Sequence, residues 1–200
     1  MIAVCLLTAD RADYTLRTLE SFSAHNNGHL LLHADDASSD DRNMQIAARF
    51  GFETVYRSAN RQGGCATARM AWQEAVRRGA TRILHLENDW EWVAPIPDVE
   101  APCVRLTGLR KSRAGPREYC DPRNLASGKV VDWTPDVEGW ERGVTHWGGP
   151  PSITDAGKLL AASNGVRLLS DMKRRMEIET LRPNENICWH IGERRTEGTA

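Results

Sequence analysis

Long hydrophobic runs are scarce in this sequence, and their scarcity excludes whole classes of protein. No stretch approaches the roughly 20 apolar residues needed to cross a bilayer. The longest apolar run near the start, "MIAVCLLTA", ends at Asp10 and lacks the charged leader and the length of a secretory signal. A cytoplasmic chain with no membrane partner is expected. An excess of charge of either sign is also missing: 26 Lys and Arg against 27 Asp and Glu leave a formal net charge of −1. The chain as a whole therefore has no attraction for nucleic acid or anionic lipid, and any basic surface must be local. Cys5, Cys65, Cys103, Cys120 and Cys188 are odd in number and show no C-x-x-C spacing, which argues against a disulfide framework and a structural zinc site. Cys5 and Cys188 stand in apolar runs and read as small core residues. Neither a G-x-x-x-x-G-K-[ST] phosphate loop nor a G-x-G-x-x-G fingerprint occurs.

What is present is a regular alternation. The 200 residues suffice for a single domain, and over the first 90 apolar runs alternate with helical patterns. Strand-like "IAVCLLT" (2–8), "HLLLHA" (29–34), "FETVY" (52–56) and "RILHLE" (82–87) are separated by helical "ADYTLRTLESFSAH" (12–25), "RNMQIAARF" (42–50) and "CATARMAWQEAVRRG" (65–79). Nearly continuous apolar strands in such an order predict a mostly parallel sheet flanked by helices, an α/β fold. After Trp92 the texture changes. "VAPIPDVEAP" carries three prolines in ten residues and breaks regular structure. The remainder, 93–200, reads as an irregular half of the same domain. "CVRLTGL" and "KVVDW" are expected as short strands, 152–163 and 171–182 as helices, and "NICWHI" (186–191) as a strand.

In an open α/β sheet, ligands bind beyond the carboxyl ends of the strands. Three of these ends are polar: "TADR" (8–11), "DDASSD" (35–40) and "ENDW" (87–90). If strand geometry persists through "ENDW", Glu87 and Asp89 point the same way, and two hard oxygen donors suit Mg²⁺ or Mn²⁺. The alternative is a solvated strand end followed by an Asp-capped turn. Asp36 has the chemistry to accept hydrogen bonds from a ribose or base, or to serve an Asx-turn. "SANRQGGCATAR" (58–69) turns through glycines into a helix whose free amides face an anion, with Arg61 close by, or simply begin the helix. "THWGGPPS" (145–152) joins Trp147 to Gly148 and Gly149, either a close backbone approach to a ligand or a structural turn. Glu177 and Glu179 fall on a charged pattern that alone reads as a solvated helix face. His190 ends the last strand.

The order of these pieces resembles the GT-A-fold glycosyltransferases, most closely the family-two nucleotide-sugar enzymes. "TADR" stands where that family has Thr-x-Asn-Arg, "DDASSD" is similar to its Asp-Asp-Gly-Ser-x-Asp, and "END" takes the place of its Asp-x-Asp metal motif. The resemblance covers residues 2–92 and is looser afterwards, where "GGPPS", "ME" and "HIG" follow in the expected order. Asp10 departs from the family's Asn, and Glu87 from its first Asp. The resemblance implies a GT-A-like, Rossmann-like fold whose 1–92 half binds a nucleotide-sugar donor, a UDP-sugar by preference. It implies Mn²⁺ or Mg²⁺ held by Asp89 and His190, with Glu87 directly or through water. Thr8, Asp10, Arg11, Asp36 and Arg61 would hold the nucleoside diphosphate. Glu177 would act as the base for an inverting displacement, Glu179 and Asp155 being the other acids in the right interval, and Trp90, Trp147, Gly148 and Gly149 would meet the acceptor.

Soluble enzymes of this type also glycosylate modified bases of phage DNA. The segment "RLTGLRKSRAGPR" (105–117), with five Lys or Arg in thirteen residues, reads as a phosphate-contacting strip for a nucleic-acid acceptor or as a solvated loop. A nucleotidyltransferase and a non-catalytic nucleotide-sugar-binding module are the competing readings. The first normally carries a Gly-rich basic loop after strand one, which "TADRADYT" lacks. No pattern in the sequence selects the sugar or an oligomeric state.

Overall fold

The computed structural model describes residues 1–107, 134–147, 151–166, 168–169, 172 and 176–191. Strands β1 (Ile2–Thr8), β2 (Leu30–Asp35), β3 (Glu53–Arg57) and β4 (Arg82–Glu87) alternate with helices α1 (Ala12–His25), α2 (Arg42–Arg49) and α3 (Gly64–Arg77). The strands lie in the order β3-β2-β1-β4, all parallel. β1 shows why its sequence is uniformly apolar. Ala3, Cys5 and Leu7 face one core with Ala68, Ala71 and Trp72 of α3, while Val4 and Leu6 face another with Leu19 and Phe22 of α1. A strand covered on both sides has no polar face to declare.

The later residues extend the same sheet. β6 (Cys103–Arg105), β7 (Thr134–Pro135), β8 (Trp140–His146), β9 (Ser152–Asp155) and β10 (Glu177–Pro183) continue it as β4-β9-β6-β10-β8-β7, and α4 (Ala156–Ser163) follows β9. β5 (Trp90–Trp92) and β11 (Cys188–His190) form a separate antiparallel ribbon. β9 runs antiparallel to both β4 and β6, and β6 runs parallel to β10. One row of the sheet therefore reads Ile83, Thr154, Cys103, Thr180, with β4, β6 and β10 pointing the same way. No helix among the described residues is long and apolar enough to cross a membrane.

Two segments differ from the helices expected of them. The segment 152–163 is a strand followed by a helix, because β-branched Ile153 and Thr154 fill a gap between β4 and β6. Asp155 then caps α4, its Oδ1 accepting from Lys158 N at 2.8 Å. From Glu177 the chain is a strand and not a helix. Glu177 and Glu179 are exposed while Ile178 and Thr180 are buried, a period of two. "KVVDW" lies outside the described residues.

Trp72 anchors the core under α3. It is fully buried, edge-on to His85 at 5.2 Å and to Trp147 at 6.3 Å between ring centroids. Its indole nitrogen has no hydrogen-bond partner among the described residues, so its contribution is packing alone. Trp72→Ala should lower the unfolding free energy by about 3–5 kcal/mol, as a shifted urea midpoint at constant m. Trp72→Phe, which keeps most of the volume, should lose less than half of that.

Candidate functional site

The parallel register brings the strand ends level. Thr8 pairs with Asp35 and Leu7 with Glu87, so the loops after β1, β2, β3 and β4 gather at one edge. They surround a cleft of about 470 Å³ lined by Asp10, Arg11, Asp36, Arg61 and Glu87, with Gly63, Gly64 and apolar Leu7 and Leu168. Five of the predicted donor-binding residues thus share one cleft.

Thr8 does not join them. It is fully buried, its hydroxyl donates to Asp35 Oδ2 at 2.6 Å and lies 2.8 Å from His33 Nε2. With its proton given to Asp35, Thr8 must accept from Nε2–H, which leaves His33 Nδ1 to accept from Thr54 Oγ1 at 2.8 Å. Asp35 Oδ1 accepts from Ser38 N and Oδ2 from Ser38 Oγ. This cluster is a floor beneath the cleft, and it corrects the expectation that Thr8 touches a nucleotide.

Asp36 is the anion that the amides of the glycine turn before α3 face. Its Oδ1 accepts from Gln62 N (2.8 Å), Thr67 Oγ1 (2.9 Å) and Ser58 Oγ (3.1 Å), and its Oδ2 from Gly63 N (3.2 Å). Burial pushes this carboxyl upward, but the four donors outweigh it and hold it below the usual carboxylate range. The glycine turn is closed on the protein's own acid, and Gly63 at φ 96° supplies the backbone that this requires.

Asp10 and Arg11 are both left-handed, at φ 57° and 59°, a conformation that costs about 1 kcal/mol or more for each non-glycine residue. Side chains around them fix it. Asp10 N donates to Ser38 Oγ at 2.7 Å, and Asp10 O accepts from Asn43 Nδ2 (2.9 Å) and Asn88 Nδ2 (3.0 Å). Sequence reasoning missed Asn43 and Asn88, because each stands beside charged residues, Arg42 in one case and Glu87 and Asp89 in the other, and nothing local marks its amide. The Asp10 carboxylate accepts from Ser39 N at 2.7 Å and pairs with Arg61 across the cleft mouth. The Ser39 amide first, and the Arg61 guanidinium after it, hold Asp10 below the usual carboxylate range.

β4 ends at Glu87, and residues 88–89 turn into β5. Strand alternation therefore does not carry to Asp89, a correction to the expected shared direction. Glu87 lines the cleft, while Asn88 reaches inward to Thr15 Oγ1 at 3.0 Å. Asp89 is 8% exposed. Its Oδ2 is 3.2 Å from both Arg11 Nη1 and His190 Nε2. Its Oδ1 is buried and has no hydrogen-bond partner among the described residues.

That orphaned oxygen is the structural test for a cation. Among the described residues no three His, Cys, Asp or Glu side chains converge to form a metal site, so Asp89 and His190 offer at most two donors. Mg²⁺-type sites are commonly built that way, with one or two protein ligands and the rest from phosphate and water. The donor set fits such an ion.

The remaining predicted residues lie elsewhere. Asp155 pairs with Arg82 at the start of β4, about 16 Å along the strand from Glu87. Glu179 is level with it and forms an ion pair with Arg142, and Glu177 lies two residues further from the carboxyl edge. All three candidate bases thus stand at the end of the sheet away from the cleft. Trp90 and Trp147 are 3% and 0% exposed. Trp90 packs edge-on to His190 and Trp147 against Trp72, its indole donating to Thr154. Neither presents a face to an acceptor, because burying an indole in the core is more favourable than displaying it. Gly148, Gly149 and most of the basic segment, including Arg110, Lys111 and Arg113, lie outside the described residues.

No protein-family model and no curated protein sequence matches this chain. Solved structures do. S. aureus TarS superposes with a TM-score of 0.63 at 13% identity, covering 96% of this chain and 36% of TarS. TarS 1–349 in complex with UDP-GlcNAc gives 0.62 at 14% identity, covering 99% of this chain and 62% of that one. A nucleoside-diphosphate-sugar pyrophosphorylase from Vibrio cholerae gives 0.52 at 11% identity over 94% and 95% of the two chains. This chain is thus shorter than the TarS structures by a third or more of their length. At these identities the likeness establishes the fold, which is GT-A-like.

The Thr8–His33–Asp35 floor makes a pH prediction. Burial lowers the His33 pKa from 6.5 to about 4, with the Asp35 charge opposing in part. A depressed histidine gives stability that is present above the unfolded value and is lost as pH falls from about 6.5 towards 4, by roughly 3 kcal/mol. Denaturant midpoints measured between about pH 7 and pH 4.5 should fall more steeply for wild type than for His33→Gln, which cannot titrate. Parallel slopes would remove His33 from the account.

Proposed function

We propose that this chain is a glycosyltransferase that takes its sugar from a nucleoside-diphosphate donor, a UDP-sugar by preference, and passes it to an acceptor hydroxyl. The observation that carries the reading is the orphaned Oδ1 of Asp89, a buried carboxylate oxygen beside a cleft that holds two arginines. The fold shared with a protein crystallised with UDP-GlcNAc supports it. In this reading the donor lies in the cleft. Arg11 and Arg61 meet its phosphates with forked N–H groups, and Asp10 and Glu87 accept from its hydroxyls. Asp36 keeps the loop at 58–63 in place more than it binds the nucleotide. Asp89 and His190 would hold Mn²⁺ or Mg²⁺, which when bound neutralises charge on the departing diphosphate. Inverting displacement stands as the proposed course, with a base from the carboxyl edge in place of Glu177, Glu179 or Asp155.

The acceptor proposed is a modified base in DNA, carried by the local excess of Arg and Lys in residues 105–117 of a chain that is otherwise neutral. Alanine at Arg110, Lys111 and Arg113 together should weaken binding to duplex DNA and reduce the slope of log K against log salt by about 3. An unchanged slope removes nucleic acid as acceptor.

Donor chemistry has its own test. With Mn²⁺ and UDP-GlcNAc, wild type should show slow sugar-nucleotide hydrolysis that Asp89→Ala reduces by roughly 100-fold. UDP with Mn²⁺ should raise the melting temperature of wild type and not of the variant. A melting shift in wild type with equal background hydrolysis in both proteins would mark a binding module instead of an enzyme.

A further inference from the structure

Arg11 stands where its charge is most consequential. Its Nη1 is 3.2 Å from Asp89 Oδ2, the oxygen also approached by His190 Nε2. Its guanidinium carbon sits 4.1 Å from the Tyr14 ring centroid, a cation–π contact that fixes the side chain in line with the carboxylate. The residue holds an unfavourable left-handed backbone at the N-cap of α1, without capping the helix by its side chain. It also lines the cleft. The residue thus contacts the carboxylate and belongs to the wall that a diphosphate would meet.

We propose that Arg11 is an internal counter-ion, which holds Asp89 in the donor-free protein and passes to the diphosphate when donor and cation arrive together. The proposal rests on the donor reading above. Its electrostatics are simple. Asp89 carries one charge, and a guanidinium on Oδ2 opposes the approach of a second, divalent charge to the same group. A diphosphate relieves that opposition by drawing Arg11 off, since it offers a stronger, forked partner. Each ligand then removes an obstacle to the other, and because coupling is reciprocal, donor and cation tighten one another. The imidazole of His190 stays beside Oδ2 as the neighbour that remains when the guanidinium has gone. Arg11 is a positioning residue for the site, and its neutralisation should free the carboxylate for metal without donor.

The test is direct Mn²⁺ binding, read from the electron paramagnetic resonance signal of free Mn²⁺, on the full chain with and without UDP. Arg11→Gln should bind Mn²⁺ alone about fivefold or more tightly than wild type, and the factor by which UDP tightens Mn²⁺ should shrink correspondingly. Arg11→Lys, which keeps the charge, should remain close to wild type. Asp89→Asn added to Arg11→Gln should abolish the gain, tying it to that carboxylate. Arg11→Gln binding Mn²⁺ no tighter than wild type overturns the proposal, as does an equal UDP effect in both proteins. If UDP alters Mn²⁺ binding in neither protein, the donor reading fails and the coupling fails with it.

Discussion

A carboxylate at the end of a buried strand is unfavourable unless something answers its charge, and that constraint organises the carboxyl edge of this sheet. Four acids meet there with four different answers. Asp35 is met by the hydroxyls of Thr8 and Ser38 and by the Ser38 amide. Asp36 takes two amides and the Ser58 hydroxyl from the loop before α3, and the Thr67 hydroxyl from α3 itself. Asp10 has an amide and Arg61. Among the described residues Asp89 has Arg11 and His190 on one oxygen only. The first two are spent on architecture: they lock the loops that shape the cleft. Asp89 is where capacity for a ligand remains.

The locking explains how an irregular loop can hold strain. Asp10, Arg11 and Ala37 all adopt positive φ without being glycine, and they lie in the loops after β1 and β2, which hydrogen-bond to each other. Such conformations persist when the surroundings over-determine them. Here Asn43, Asn88 and Ser38 do so, tying the β1–α1 loop to the ends of β2 and β4. The cleft is therefore shaped before any ligand arrives, which lowers the entropy lost on binding.

The parallel half was legible because burial on both faces leaves nearly continuous apolar strands, and Gly79 closes α3 with a positive φ as its place in the sequence suggests. The polar strand ends at 8–11, 35–40 and 87–90 were legible as a site for the same topological reason. The second half was not. Glu177–Pro183 is a strand because β6 and β8, distant in sequence, pair with it, and no local pattern records that pairing. Asp155 read as a free acid, although its side chain is used as a helix cap. Trp90 and Trp147 read as platforms for a ring, but aromatic content says nothing of which side of the sheet closes over it. Thr8 carries a motif hydroxyl that tertiary packing turns towards Asp35. The resemblance to a known family pointed to the carboxyl edge of the sheet; the orphaned oxygen, the left-handed turn and the Arg11–Asp89 contact emerged only in three dimensions.

The function proposed for this edge depends on whether Asp89 gathers a cation and a diphosphate. The most direct measurement is a crystal structure of the chain soaked with Mn²⁺ and UDP. The account predicts metal density between Asp89 and the phosphate oxygens, with the Arg11 guanidinium moved from the carboxylate onto the diphosphate. An intact Arg11–Asp89 pair, with UDP bound and no metal density at that carboxylate, would contradict it.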